Sequence, residues 1–397
     1  KKKLKIIEGN TLHAFETISS KEELDSIITK LMEDSEENDK WETKEAHDYA
    51  MCLDEEYYEP YDKWMDVGWI LFCVNYSLFP TWVAFSTKSS KFSFDSVPEM
   101  FELWNKMEKK GKSLGSLMFW ARDCDPVKYK ELKENTINYY INRTLDGETE
   151  YDIARVLYKM YNDKYKCVSI KNKIWFEYLD GRWHEVEEGI SLSSKLSTTL
   201  NQKYVDREHE LINKVCTIQD EEERVKTQQL VAKMANISNK LRKTAWKRNI
   251  MTEASAQFYD KYFMSKLDSN PNIICCKNGV IDFDKGGIFR LGKPEDYVSL
   301  CTHINYTAYN HIDPEHVKIK NEIETFFKQL FPNPNLNRYM WEHLSSILIG
   351  KNMNQTFNMY TGCGRNGKSK LVEFMSTLLG DYKGTVPISL VTQKRGQ

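Results

Sequence analysis

The sequence predicts a multidomain α/β protein: a helical domain, a mixed α+β domain, and the opening of a phosphate-loop nucleotide-binding fold. Three observations carry that expectation. Tryptophan-rich segments with apolar residues at helical spacing fill the first part, and two hairpin patterns turning at Asp180-Gly181 and Asn278-Gly279 interrupt the middle. Near the end, Gly362-Cys363-Gly364-Arg365-Asn366-Gly367-Lys368-Ser369 has the spacing G-x-x-x-x-G-K-[ST].

At 397 residues the chain exceeds one ordinary core, and roughly two to three domains are expected. Hydrophobic residues make up 41% and charged residues 29%, the balance of a folded protein. Lys plus Arg number 56 against 58 Asp plus Glu, a net charge of −2, so only local patches can speak for a nucleic-acid partner. No apolar run approaches the roughly 18 residues that span a bilayer, and Lys1-Lys2-Lys3-Leu4-Lys5 leads into no secretory segment. A soluble intracellular protein with no membrane partner is expected. The first residue is not Met, which suggests a fragment, a processed product or the ordered part of something longer. Nine scattered cysteines without a C-x-x-C give neither a zinc site nor a disulfide framework; reduced thiols are expected.

Residues 1–40 read as an N-terminal segment ending in a solvated acidic linker, Glu33-Asp34-Ser35-Glu36-Glu37-Asn38-Asp39. A helical domain follows over 41–146. There Trp64, Val67, Leu71 and Val74 recur at helical spacing, and 98–110 and 114–121 form further helices around Gly111 and Gly115. Trp82, Trp104 and Trp120 could stack nucleobases, but core packing is the default for such residues.

The mixed domain spans 147–312. A helix from Tyr151 (Ile153, Val156, Leu157, Met160) precedes strands at 167–170, 174–178 and 182–186, with Asp180-Gly181 supplying a tight primed turn that needs positive φ. Helix-rich sequence over 222–267 places Leu230, Met234, Ile237 and Leu241 on one face, and a second hairpin runs from Ile273 to Arg290. Its Asp282-Phe283-Asp284 is an acid-x-acid pair of the kind that can hold two metal ions, but turn-solvating acids are the default. Lys240, Arg242, Lys243, Lys247 and Arg248, with Trp246 among them, form an acid-free basic cluster. Spread around a helix they make a solvated face; Lys243, Lys247 and Arg248 are the candidate DNA-backbone contacts.

Residues 313–397 begin with Asp313-Pro314-Glu315, a helix start with an acceptor at the cap and Pro in the first turn. Ile319, Ile323, Phe326, Phe327 and Leu330 line one face until Pro332, and a second helix from Asn335 turns Leu336, Met340, Leu344 and Ile347 inward. Phe326, Phe327, Tyr339, Trp341 and Ile349 lie on more faces than one small bundle is expected to bury, which points either to a subunit interface or to packing against a helicase core within the subunit.

A buried strand at 355–360 is expected to run into the phosphate loop. Glycines there allow backbone N–H groups to turn inward around a β-phosphate. Lys368, the candidate catalytic residue, brings a mobile positive charge to the β/γ oxygens, and the Ser369 hydroxyl can ligate Mg²⁺. ATP and Mg²⁺ are the cofactors this chemistry needs. A helix must follow, because its N-terminus adds partial positive charge, and Leu371, Phe374, Met375 and Leu378 recur at helical spacing before Gly380. Beyond it Asp381 is the sole carboxylate. The acids that hold Mg²⁺ and orient water are therefore missing, and the chain alone is expected to bind nucleotide without turning it over.

Together these segments resemble the region linking primase to helicase in the poxvirus-like and other primase-helicases of large DNA viruses, phages and plasmids, which carry a superfamily 3 helicase. The phosphate loop with Leu379-Gly380-Asp381-Tyr382 behind it is similar to that family's, where Asn commonly precedes Gly-Lys-Ser. Asn278-Gly279-Val280-Ile281-Asp282, Pro294-Glu295-Asp296 and the hairpin at 175–183 look like the pre-helicase domain. The stretch 82–120 resembles the helical domain that follows the primase catalytic domain. The resemblance implies an AAA+-like ATPase, a ring of six copies around single-stranded or forked DNA, and work at viral replication sites in the host cytoplasm or nucleus. Two other readings stand beside it: a P-loop signalling ATPase with a non-replicative binding module, and a scaffold whose loop is vestigial.

Overall fold

The computed structural model describes residues 15, 18–37, 40–108, 113–353, 355–362 and 364–389. Gly111, Cys363, the opening lysines and Asn38-Asp39 lie outside the described residues. The chain forms two compact units, 1–147 and 148–397, and it is a mixed α/β protein with two small antiparallel sheets.

In the first unit, helices Lys21–Glu37, Trp41–Met51, Tyr61–Val74, Phe79–Ser86, Val97–Lys106, Leu114–Cys124 and Pro126–Gly147 surround an aromatic core. The acidic run is a correction: Glu33 to Glu37 finish the first helix instead of forming a linker. Leu24, Ile27, Ile28 and Leu31 anchor that helix on the core, which leaves Glu33 and Asp34 exposed. The tryptophans pack. Trp64 and Trp82 stack at 4.5 Å, and the indoles of Trp64 and Trp82 donate to Ser86 Oγ and the Trp64 carbonyl. Gly68 is required by this arrangement, since a Cβ there would lie 2.5 Å from Trp82.

In the second unit, helix Glu150–Tyr161 leads into the meander β1 (Tyr165–Ser169), β2 (Ile174–Leu179) and β3 (Arg182–Glu187). Asp180 and Gly181 turn β2 into β3 with φ of 51° and 79°, the primed turn anticipated from their residue types. Helices Asn201–Thr217 and Glu221–Lys240 form a helical hairpin, and Thr244–Gln257 packs on Glu150–Tyr161. The second meander is β4 (Ile273–Cys276), β5 (Gly279–Asp282) and β6 (Ile288–Arg290). Asp282 is buried there and accepts from Arg290 Nε and Nη2 at 3.1 and 3.0 Å, while Asp296 takes the same guanidinium at 2.7 and 2.8 Å. Asp284 accepts from Asn272. The acid-x-acid pair is thus spent on structure, and no cluster able to hold a metal occurs among the described residues.

Helices Pro314–Leu330 and Pro334–Ser346 follow, capped by Asp313 and Asn333 side chains. Their small core holds Phe327, Met340 and Leu344 together with Leu371. Two expectations change. Phe327 turns inside, stacking on Trp341 at 4.1 Å, whereas Leu336 and Ile347 stay exposed. The helices present more apolar positions than this shallow contact covers.

Candidate nucleotide-binding site

The phosphate-loop residues converge at the start of helix Lys368–Leu379. Arg365 and Gly367 adopt φ of 64° and 78°, so the loop alternates through left-handed backbone, the geometry in which N–H groups turn toward an anion. Gly367 is the N-cap and supplies no side-chain acceptor, which leaves the first N–H groups of the helix available to a ligand. A Cβ at Gly364 would meet open space, whereas one at Gly362 would collide with the Asn366 carboxamide and one at Gly367 with Leu330. Leu330, the last residue of its helix, therefore fixes how close that helix stands to the loop; spacing alone gave no signal for this contact.

Lys368 Nζ donates to Asn366 Oδ1 at 2.7 Å and to the Gly362 carbonyl at 3.3 Å. Both partners are neutral, so among the described residues no carboxylate offsets the ammonium charge at the loop. Ser369 lies exposed beside it. This donor set fits a magnesium-nucleotide phosphate: a cation, a hydroxyl and free helix N–H groups on one side of a short loop.

The strand expected at 355–360 is not formed. Phe357 and Met359 are 78% and 76% exposed, and the segment pairs with no strand among the described residues. An isolated extended segment has no ladder to stabilise it. The helix behind the loop buries Leu371 and half-buries Met375 and Leu378, but leaves Phe374 exposed. An open groove of about 960 Å³, lined by Ile323, Phe327, Trp341, Leu344, Phe374 and Met375, runs along these helices and does not include residues 362–369.

The basic cluster does not ride on one helix. Lys240 ends Glu221–Lys240, Leu241 is buried in the turn, and Lys243 precedes Thr244–Gln257, which carries Lys247 and Arg248 near its start. The helix ends at Lys240 with Leu241 as its C-cap and the next opens at Thr244, so Lys243, Lys247 and Arg248 lie around a helix start instead of spreading along one cylinder. Lys240 pairs with Glu148 at 3.2 Å, while Arg242, Lys243, Lys247 and Arg248 form no ion pair among the described residues.

The chain matches two family models: "D5 N terminal like" over residues 154–343 and "Primase C terminal 2 (PriCT-2)" over 46–121. It is 34% identical over 338 residues to "Putative helicase L207/L206" of Acanthamoeba polyphaga mimivirus, covering 84% of this chain and 34% of that protein. Identity is 25% over 376 residues to "Putative helicase 121R" of Invertebrate iridescent virus 3, covering 85% of this chain and 39% of that protein. It is 26% over 385 residues to "Putative primase C962R" of African swine fever virus (isolate Pig/Kenya/KEN-50/1950), covering 89% and 39%. The chain spans roughly a third of the length of these curated relatives. No described helix is long and apolar enough to cross a membrane.

Proposed function

We propose, from the premise that this chain belongs to the primase-helicase family of large DNA viruses, that it is the linking and nucleotide-binding part of an ATP-driven DNA helicase coupled to a primase in viral replication. One observation carries this reading: a loop with left-handed turns at Arg365 and Gly367 opens an uncapped helix whose first residues are Lys368 and Ser369. Gly362, Gly364, Arg365, Asn366 and Gly367 wrap the phosphates, with Cys363 assigned by its place in the motif. Lys368 neutralises the β/γ oxygens and Ser369 ligates Mg²⁺. Bound Mg·ATP supplies the phosphoryl chemistry; the chain's own residues hold and orient it.

Single-stranded or forked DNA is the proposed second partner, met by Lys243, Lys247 and Arg248, which lie at a helix start and form no ion pair among the described residues. The exposed Tyr339, Trp341 and Ile349 support assembly into a ring of six copies in the infected cell, in cytoplasm or nucleus. Unwinding of a forked duplex by the complete protein tests the reading. ATP-dependent strand separation is expected, lost in Lys368→Ala, with light scattering giving a six-copy mass on nucleotide and DNA. ATP-independent separation, or a strictly monomeric mass in every condition, overturns it.

A further inference from the structure

The helix that opens at the phosphate loop is held at its other end as well. It closes at Gly380, whose φ is 54° and where a Cβ would lie 2.6 Å from the carbonyl oxygens of Cys301 and Thr302. Asp381 then makes a reciprocal pair of bonds: its N–H donates to the Cys301 carbonyl at 2.9 Å, and its Oδ2 accepts from Cys301 N–H at 3.1 Å. Its other oxygen meets His303 Nε2 at 2.7 Å. The Tyr382 hydroxyl donates to the Leu300 carbonyl at 3.0 Å and accepts from Cys275 N–H, on β4, at 2.9 Å. Thr302 N–H in turn donates to the Cys275 carbonyl at 2.9 Å, so residues 300–303 lie along β4 as the helix end grips them.

We propose that Gly380-Asp381-Tyr382 is a coupling clasp, in which Asp381 and Tyr382 are positioning residues that tie occupancy of the phosphate loop to the sheet β4–β6. The inference rests on the nucleotide-binding reading. Its physical basis is a rigid rod fixed at both ends. A twelve-residue helix is about 18 Å long at 1.5 Å per residue. The Leu330 side chain packs on its start at Gly367, and the backbone carbonyls of Cys301 and Thr302 close on its finish at Gly380. Phosphate binding that draws the first turn onto an anion cannot be absorbed by slack at the far end. The displacement, or the loss of motion, is carried into residues 300–303 and, through Tyr382, into the backbone of β4. A single phenol bridging a buried strand amide and a carbonyl is a narrow connection, and removing its oxygen leaves both groups unsatisfied.

Hydrogen–deuterium exchange on this full chain, with and without Mg·ADP, tests the clasp. In the unaltered chain, amides of 362–371 and of 273–282 should both exchange more slowly on nucleotide, by about fivefold or more. In Tyr382→Phe the loop should keep its response while 273–282 loses it. Asp381→Ala, which removes the acceptor of the Cys301 N–H and the His303 contact and so loosens residues 300–303 where they lie on β4, should also blunt the response of 273–282 and carries the test if Tyr382→Phe does not fold. A purely structural role would lower stability in both variants yet leave the nucleotide response of β4 intact. That result overturns the clasp, as does a loop that responds in the unaltered chain while β4 does not. If 362–371 shows no response in the unaltered chain, the nucleotide reading itself fails and the clasp with it.

Discussion

Trp82 and Trp341 both lie on apolar helix faces, and they end in opposite surroundings. Trp82 is fully buried, stacked on Trp64 and tilted against Trp104. Trp341 has one face on Phe327 and remains 37% exposed. The same contrast separates the first unit, whose helices close around one aromatic core, from the phosphate-loop segment, where Phe357, Met359 and Phe374 face outward. Periodicity announces which face of an element is apolar; it does not announce what covers that face. A closed core serves stability, while an open one is where partners and ligands act.

Three measurements bear on this contrast. The largest effect is expected from truncating the two tryptophans. Trp82→Ala should cost about 3–5 kcal/mol of stability in urea denaturation, and Trp341→Ala about 1 kcal/mol, because less area leaves water at the second site. Similar losses would mean that the phosphate-loop segment is as tightly closed as the first unit.

Protonation gives the next effect. Burial, reinforced by Lys44, pushes His47 down to about 4 from an ordinary 6.5, and Thr81 holds its ring at 2.9 Å. Folded His47 then binds fewer protons than unfolded, so stability falls as pH drops below 6.5 toward 4. At pH 5 the first unit should have lost about 2 kcal/mol relative to pH 7, and His47→Gln should flatten that dependence. Asp381 behaves differently. Its hydrogen bond with His303 holds its carboxyl below the usual range, so its contribution, present above the unfolded value of 3.8, is lost only as pH falls through the lower folded value. Equal acid sensitivity between pH 7 and 5 in the His47→Gln protein would contradict this division.

The smallest effect concerns charge. Lys106 and Lys128 of the first unit pair with Glu102 and Glu131, whereas Lys243, Lys247 and Arg248 form no ion pair among the described residues. Neutralising the latter three should flatten the salt dependence of DNA binding by about one unit per lost contact, and neutralising Lys106 and Lys128 should leave the slope unchanged. The same slope in both sets would return the cluster to a solvated surface.

Much of the architecture was legible because it depends on short-range signals. Asp180-Gly181 specified its turn, Asp313-Pro314 its helix start, and the spacing after Lys368 its helix. What failed depends on distant partners. The acidic run at 33–37 looked like a linker because nothing in it revealed that Leu24 to Leu31 would anchor its helix. Residues 355–360 looked like a buried strand, yet burial requires neighbouring strands that local sequence cannot supply. At the candidate site, spacing singled out the loop residues, whereas Leu330 against Gly367 and His303 on Asp381 had no signal in the sequence. Those contacts join positions separated by 37 and 78 residues along the chain.

Calorimetric titration of this chain with Mg·ATP, beside Lys368→Ala, decides whether 362–369 holds a nucleotide. Among the described residues Lys368 meets the neutral oxygens of Asn366 and Gly362, and no carboxylate, so its charge can meet phosphate. Binding of one nucleotide per chain is expected, weakened by at least about tenfold in the variant, the loss of one charge-assisted contact. An unchanged affinity in Lys368→Ala, or no heat of binding in the unaltered chain, would contradict the assignment of 362–369 as a nucleotide site.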